Sequence, residues 1–245
     1  MNNDEPLMTI VIPAYNEAQR LPDTLNRVVA FVHSCSEALE VIVVNNNSRD
    51  MTREVASEFA ERHPFLHVVD QPIQGKGAAV RKGILEAQGR YAFICDADLA
   101  MPIEELHRFF PASLKGDYDI AIGSREAPGS HRYNEPAYRH LMGRVFNFVV
   151  RFLAVPGIDD TQCGFKAFRR EVGRDLFAAQ KIDGFAFDVE VLAIALRRGY
   201  KILEVGIPWY YGKGSTVNPI QDSIRMVREV LRIRHNVRSG IYDQP

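Results

Sequence analysis

Two carboxylates one residue apart, Asp96 and Asp98 in Cys95-Asp96-Ala97-Asp98-Leu99-Ala100, follow directly on the apolar stretch Tyr91-Ala92-Phe93-Ile94. A buried strand that runs out into such a loop offers oxygen ligands to a divalent cation. An isolated Asp-x-Asp is also ordinary turn chemistry, so its weight comes from its company. Three more polar segments terminate apolar runs in the first half: Pro13-Ala14-Tyr15-Asn16-Glu17, Asn45-Asn46-Asn47-Ser48-Arg49-Asp50 and Gln74-Gly75-Lys76-Gly77. Short polar side chains and backbone amides there could hold a nucleoside, while Lys76 or Arg81 could neutralise phosphate. Taken singly, Asn-Asn-Asn-Ser is also good turn chemistry and Gly-Lys-Gly a simple helix start.

The elements that must position these segments alternate. Apolar runs predict strands at 8–13, 40–44, 66–69, 91–94 and 118–122. Helical spacing of Leu21, Leu25, Val28, Val29 and Val32 predicts a helix over 17–33. Others are expected from Asp50, a candidate cap, to 62, from Gly75 to near 89, and over 103–114. Alternation of helices with continuously apolar strands is the pattern of a parallel sheet covered on both faces, with all four polar strand ends at one edge. After Gly123-Ser124-Arg125 comes a polar loop, 126–135, a candidate lid. A helix over 137–153, a loop at 159–164, a helix over 187–197, a strand at 201–207 and a last helix from 220 to about 237 complete the chain.

The 245 residues suit one domain, in which 8–125 carries the polar strand ends and 126–245 the amphipathic helices. With 46% hydrophobic residues, 25% charged residues and a net charge of -1, nothing argues for nucleic acid, and any phosphate binding must be local. Three widely spaced cysteines, Cys35, Cys95 and Cys163, speak against a disulfide framework and fit a reducing cytoplasm. The polar, acidic start is not a signal peptide, and no apolar run reaches the roughly 18 residues of a membrane span. A membrane would therefore be met from its surface.

Together the motifs resemble the family 2 glycosyltransferases of GT-A fold. The resemblance runs through Val11-Ile12-Pro13-Ala14-Tyr15-Asn16-Glu17, Gly75-Lys76-Gly77-Ala78-Ala79-Val80-Arg81, Asp96-Ala97-Asp98-Leu99, Ile122-Gly123-Ser124-Arg125, Asp160-Thr161-Gln162-Cys163-Gly164-Phe165-Lys166 and Phe187-Asp188-Val189-Glu190. Within the family the chain looks most like prokaryotic relatives of the dolichyl-phosphate glucosyltransferases, with polyprenyl-phosphate mannosyltransferases as cousins. The implied fold is α/β, a mostly parallel central sheet flanked by helices, with a helical C-terminal elaboration. The implied reaction is inverting transfer of a hexose from a nucleotide diphosphate sugar to a polyprenyl or dolichyl phosphate. The resemblance implies that Asp96 and Asp98 hold Mg²⁺ or Mn²⁺. It also implies that Pro13, Tyr15, Glu17, Asn45, Asn46, Lys76, Asp96 and Ala97 border the donor, and that Arg125 and Arg139 face phosphates. Asp98, Arg125, Arg139 and Asp188 are the expected catalytic set, Asp188 contacting the sugar.

Two positions depart from the family pattern. Asn45 stands where the family usually carries an Asp that accepts from the nucleobase, and an amide brings a donor without charge. Ala100 replaces a Gln often found in mannosyl-transferring cousins, which favours glucose. Glu190 and Asp160 are open between structural and functional roles; Trp209 is expected to pack or to touch lipid. A phosphate monoester is already largely dianionic near neutrality, so the acceptor needs alignment rather than a strong base.

Two helices bear on that acceptor. His140, Arg144, Asn147 and Arg151 fall within a sector of about 60°, beside a stripe of Leu141, Val145, Phe148 and Phe152. In the last helix Arg225, Arg228 and Arg232 adjoin Ile224, Val227, Val230 and Leu231. Such helices either face the core with a solvated basic side or lie at an anionic membrane interface, here the inner face of the plasma membrane. The readings carried forward are transfer from UDP-glucose, transfer from GDP-mannose or to a soluble acceptor, a nucleotidyltransferase, and a sugar-nucleotide sensor. A homodimer is among the states left open.

Overall fold

A computed structural model describes residues 5–114, 118–211 and 219–243, with the side chains at 137–139, 141, 142, 145, 146 and 219–224 outside the description. The first half runs β1 (Met8–Ala14), α1 (Leu21–Ser34), β2 (Leu39–Asn45), α2 (Thr52–Arg62), β3 (Leu66–Asp70), α3 (Lys76–Glu86) and β4 (Tyr91–Ile94). A 3₁₀ helix, Ile103–Phe109, and β5 (Ile120–Ser124) follow. Next come β6 (His131–Tyr133), α4 (Ala137–Leu153), β7 (Lys166–Arg169), α5 (Arg170–Ala179) and α6 (Phe187–Arg197), and then β8 (Ile202–Gly206), β9 (Pro208–Tyr210) and α7 (Pro219–Arg238).

The main sheet has seven strands in the order β3-β2-β1-β4-β7-β5-β8. All neighbours are parallel except β7, which lies antiparallel between β4 and β5, with Ile94 opposite Lys166 and Ile120 opposite Phe168. β7 and β8 thus bring residues of the second half into the sheet built by the first. Alternate residues of β1 serve different cores: Ile10 and Ile12 pack with Leu21, Leu25, Val28 and Phe59, while Val11 packs with Val80, Ile84 and Leu192 on the opposite face.

Most elements fall where periodicity places them, with three differences. The segment expected to be a helix over 103–114 is the shorter 3₁₀ helix, which ends as Phe109 and Phe110 turn into the core. Two elements are additional to those expected: β7, whose four residues, Lys-Ala-Phe-Arg, are too few for a period to show, and the ten-residue α5 that follows it. The loop 126–135 contains β6, which pairs with β9, and Tyr133 stacks on Tyr210 with ring centroids 4.5 Å apart.

Candidate active site

Because β1 to β4 are parallel and in register, their ends at Ala14, Asn45, Asp70 and Ile94 line one edge of the sheet. β7 runs the other way, so the loop leading into it, 159–165, reaches the same edge. Lys76 Nζ lies 2.6 Å from Oδ1 of Asp96, both side chains about one-quarter exposed. Burial works against the Lys76 charge, yet Asp96, Asp188 and Asp98 more than offset it and raise its pKa, so the ammonium persists. Asp98 is exposed, and its Oδ1 accepts the Ala100 N–H at 3.0 Å. Ala97 is buried, and its carbonyl accepts the Thr24 hydroxyl at 2.6 Å, which pins the turn between the two aspartates.

Toward β2 the first two loops interlock. Asn16 N–H donates to Ser48 Oγ, Arg49 N–H to Asn16 Oδ1 and Ala18 N–H to Asp50 Oδ2. Asp50 also accepts the Thr52 N–H at 3.1 Å at the start of α2. A cleft of about 430 Å³ opens between Asn16, Glu17, Gln19, Arg20 and Asp50. Burial raises the pKa of Glu17; Arg20 opposes the rise, and Asp98, Asp50 and Asp96 add to it. Pro13 is half-buried, and Tyr15 is exposed beside it. Asn46 spends its amide on the β3–α3 loop, accepting from Gly75 N–H at 2.8 Å and donating to Ile73 O at 2.6 Å. Asn45 is buried and donates to Asp70 Oδ1 at 2.8 Å, its register partner, and Arg53 donates to the same carboxylate.

On the far side of β4 the expected arginine is already engaged. Arg125 grips the fully buried Asp160 through Nε at 2.7 Å and Nη2 at 2.9 Å, and its backbone N–H adds a third bond at 3.0 Å. Its guanidinium also lies 5.3 Å from the Trp209 ring centroid. Asp160 is thus paired with Arg125, and Trp209 packs against the same guanidinium. Asp188 is equally committed: Lys166 Nζ donates to its Oδ1 at 2.6 Å with both side chains buried. Burial raises the Asp188 pKa against the pull of Lys166 and Lys76. Glu190 points elsewhere, accepting the Lys181 and Ile182 N–H groups. Arg81 pairs with Asp183 at 2.7 Å rather than standing free. Arg139 begins α4, and its side chain lies outside the described residues.

The structure thus brings Lys76, Asp96, Asp98 and Glu17 to one edge and sets Asp188 behind Lys76. Lys166 and Asp70 had been assigned no role. A lysine opening an apolar strand is the one signal that marks Lys166; Asp70 is an ordinary strand-end acid until its register with Asn45 is known. In α4 the stripe residues Phe148 and Phe152 are 70% and 76% exposed, whereas Val150 packs in the core and Asn147 is buried. Arg151 turns to Asp159 at 2.6 Å.

A mixed sheet with the Asp-x-Asp turn and the glycine-bearing turn of α3 on one edge defines a GT-A glycosyltransferase. The chain belongs to glycosyl transferase family 2, whose family model matches residues 9–177. It is 33% identical over 256 residues to a dolichyl-phosphate beta-glucosyltransferase of Dictyostelium discoideum, covering 98% of this chain and 77% of that one. The enzyme of the same name from Drosophila melanogaster is 35% identical, with 92% and 74% covered. In fold the chain is similar to glucosyl-3-phosphoglycerate synthase from Mycobacterium tuberculosis in complex with UDP, at TM-score 0.66 and 17% identity over 95% of this chain and 80% of that one. The same enzyme with Mn²⁺, UDP-glucose and phosphoglyceric acid gives a TM-score of 0.65 at 16% identity, with 95% and 79% covered.

Proposed function

We propose that this glycosyltransferase is metal-dependent and moves glucose from UDP-glucose to the phosphate of a polyprenyl or dolichyl lipid, inverting the anomeric carbon. The observation that carries the reading is the meeting of Lys76, Asp96 and Asp98 on the sheet edge of a chain whose relatives match it over nearly its full length. Their name supplies the sugar and the acceptor class.

Mg²⁺ or Mn²⁺ fits the residues present. Asp96 and Asp98 offer hard carboxylate oxygens, and no group of three or more His, Cys, Asp or Glu surrounds them among the described residues, which suits an ion that takes its other ligands from phosphate and water. Bound there, the metal would supply Lewis-acid stabilisation of the leaving diphosphate. Lys76 adds a second positive charge to that leaving group. Two strand spacings, about 10 Å, separate β4 from β2. A ribose and base extending that way lie over Pro13, Tyr15, Glu17 and Asn45, with Asn46 shaping the loop beside them. The anionic Asp70 restores at this end of the sheet the carboxylate that Asn45 lacks.

In the transfer itself a phosphate oxygen of the acceptor forms a bond to the anomeric carbon as the bond from that carbon to the β-phosphate oxygen breaks. The acceptor dianion is already a nucleophile, so no side chain needs to take a proton. Asp160 fixes Arg125 at the mouth of this half of the site, and Arg139 comes from the start of α4. The Asp188–Lys166 pair stands behind the sugar position.

Delivery of the acceptor requires a lipid surface. Among the described residues no helix is long and apolar enough to cross a membrane. Phe148 and Phe152, exposed one turn apart on α4, and the exposed Arg225, Arg228 and Leu231 of α7 form the surface we assign to peripheral contact with anionic lipid.

The deciding experiment is radiolabel transfer from UDP-glucose and GDP-mannose in parallel to polyprenyl phosphate in detergent, with Mg²⁺ or with EDTA. Label entering the lipid phase from UDP-glucose only, lost with EDTA and in Asp98→Ala, is the expected result. Label from GDP-mannose alone would overturn the donor, and UDP release without lipid label would overturn the acceptor.

A further inference from the structure

Glu190 is fully buried on α6, two residues beyond Asp188, and has no part in the chemistry above. Its carboxylate binds two segments at once. Oε1 accepts the Lys181 N–H at 3.0 Å and the Tyr242 hydroxyl at 2.6 Å, and Oε2 accepts the Ile182 N–H at 2.8 Å. Tyr242, also fully buried, accepts from Asn236 Nδ2 at 2.8 Å, and its carbonyl accepts from Arg198 Nε at 3.1 Å. Arg197 and Asp243 pair at 2.8 Å alongside. The turn that follows α7 is therefore fastened at three points, two on α6 and one on Arg198 just beyond it.

The segment that Glu190 holds is the wall against which α3 begins. Gly75 offers α3 no capping side chain, and the Ala78 N–H, an amide with no partner inside the helix, donates to Asp183 O at 3.2 Å. Arg81 ties the same turn down through the Asp183 carboxylate at 2.7 Å. The contact is close enough to exclude side chains: a Cβ on Gly77 would come within 2.6 Å of Ile182 O and 2.7 Å of Phe187 Cβ. Any shift of residues 181–183 must move the Gly75-Lys76-Gly77 turn, and with it the ammonium that faces Asp96.

We infer that Glu190 and Tyr242 are positioning residues for the donor, acting through residues 181–183 to set the Gly75-Lys76-Gly77 turn against Asp96. This rests on the reading of that turn as the site of the donor diphosphate. A carboxylate suits the task because all three of its partners donate, and an amide would turn its NH₂ toward at least one of them. Glu190→Gln therefore releases part of the loop at nearly unchanged volume, whereas Tyr242→Phe removes only the outer fastening.

The test measures KM for donor and acceptor, kcat, and UDP binding by calorimetry with Mn²⁺ for the full chain and for Glu190→Gln, Tyr242→Phe, Asp183→Ala and Lys76→Ala. In Glu190→Gln the KM for UDP-glucose and the UDP Kd should rise about tenfold, with the acceptor KM within about twofold of wild type. Tyr242→Phe and Asp183→Ala should move the donor constants the same way by about threefold. The last variant alters the loop at its exposed side and keeps the proposal testable should Glu190→Gln fail to fold. Lower melting temperatures with unchanged donor constants in Tyr242→Phe and Asp183→Ala, while Lys76→Ala weakens UDP, would overturn the inference alone. Unchanged UDP binding in Lys76→Ala would overturn the donor-site reading, and the inference with it.

Discussion

The Lys76 ammonium sits 2.6 Å from the Asp96 carboxylate, so one half of the Asp-x-Asp pair is already neutralised by the protein's own cation. A divalent ion approaching Asp96 meets a like charge; at about 4 Å and an effective dielectric near 20 each unit charge costs about 4 kcal/mol. A donor diphosphate bound here would remove the conflict by giving both cations something to bind. Mn²⁺ should therefore bind weakly alone and tightly with UDP. Lys76→Met should bind Mn²⁺ at least about tenfold more tightly without nucleotide and UDP more weakly, both by calorimetry.

Asn45 and Asp70 form a second pair with a measurable consequence. The Asn45 amide, then burial in opposition, then Arg53 act on the Asp70 carboxyl, and the net effect holds its pKa below the usual value. An anionic acceptor is matched to the N3–H of uracil, which a neutral amide serves less well. Asp70→Asn should weaken UDP about tenfold and leave inorganic pyrophosphate with Mn²⁺ unaffected. Equal losses for both probes would show that the residue acts on fold rather than on the base.

Gly164 backs directly onto Asp96. A Cβ there would collide with Oδ2 of that carboxylate and stand 2.6 Å from its Cγ. Gly164→Ala should cost up to about a hundredfold in kcat/KM, because displacing a group that positions the substrate by about 1 Å can cost that much, and little in thermal stability.

The Arg125–Asp160 pair sets an acid limit on stability. Burial alone would raise the Asp160 pKa, but the charge and hydrogen bonds of Arg125 bring it from 3.8 to about 2. A depressed folded-state pKa gives stability that is complete above about pH 4 and lost as pH falls toward 2, on the order of 2 kcal/mol. Asp160→Asn strands a largely buried guanidinium and should cost roughly 3 kcal/mol near pH 7 in urea titrations. The gap to wild type should narrow between pH 4 and pH 2; a constant gap would show that the pair does not titrate as described.

Phe148 and Phe152 offer a direct test of membrane contact. Each aromatic side chain moved from water into an apolar layer contributes about 1.5–3 kcal/mol. The double Ser variant should lose at least about tenfold in flotation with anionic vesicles while keeping UDP affinity. Unchanged flotation would move the lipid contact elsewhere.

The sequence by itself determined the repeating strand–helix order and the sheet edge to which the polar strand ends come. Both rest on local rules: apolar runs bury on two faces, and parallel strands release their polar ends on one side. The pair Asp96 and Asp98 was legible because its signal lies within four residues of a strand. Tertiary structure alone decided what Arg125, Asp188, Asn45 and Glu190 do, since each is defined by a partner 22 or more residues away or by two partners at once. It also decided β7, whose four residues are too short for a period and which lies antiparallel between β4 and β5. A charged side chain announces that it needs a partner; which partner depends on the close packing of strands and helices that no local pattern encodes.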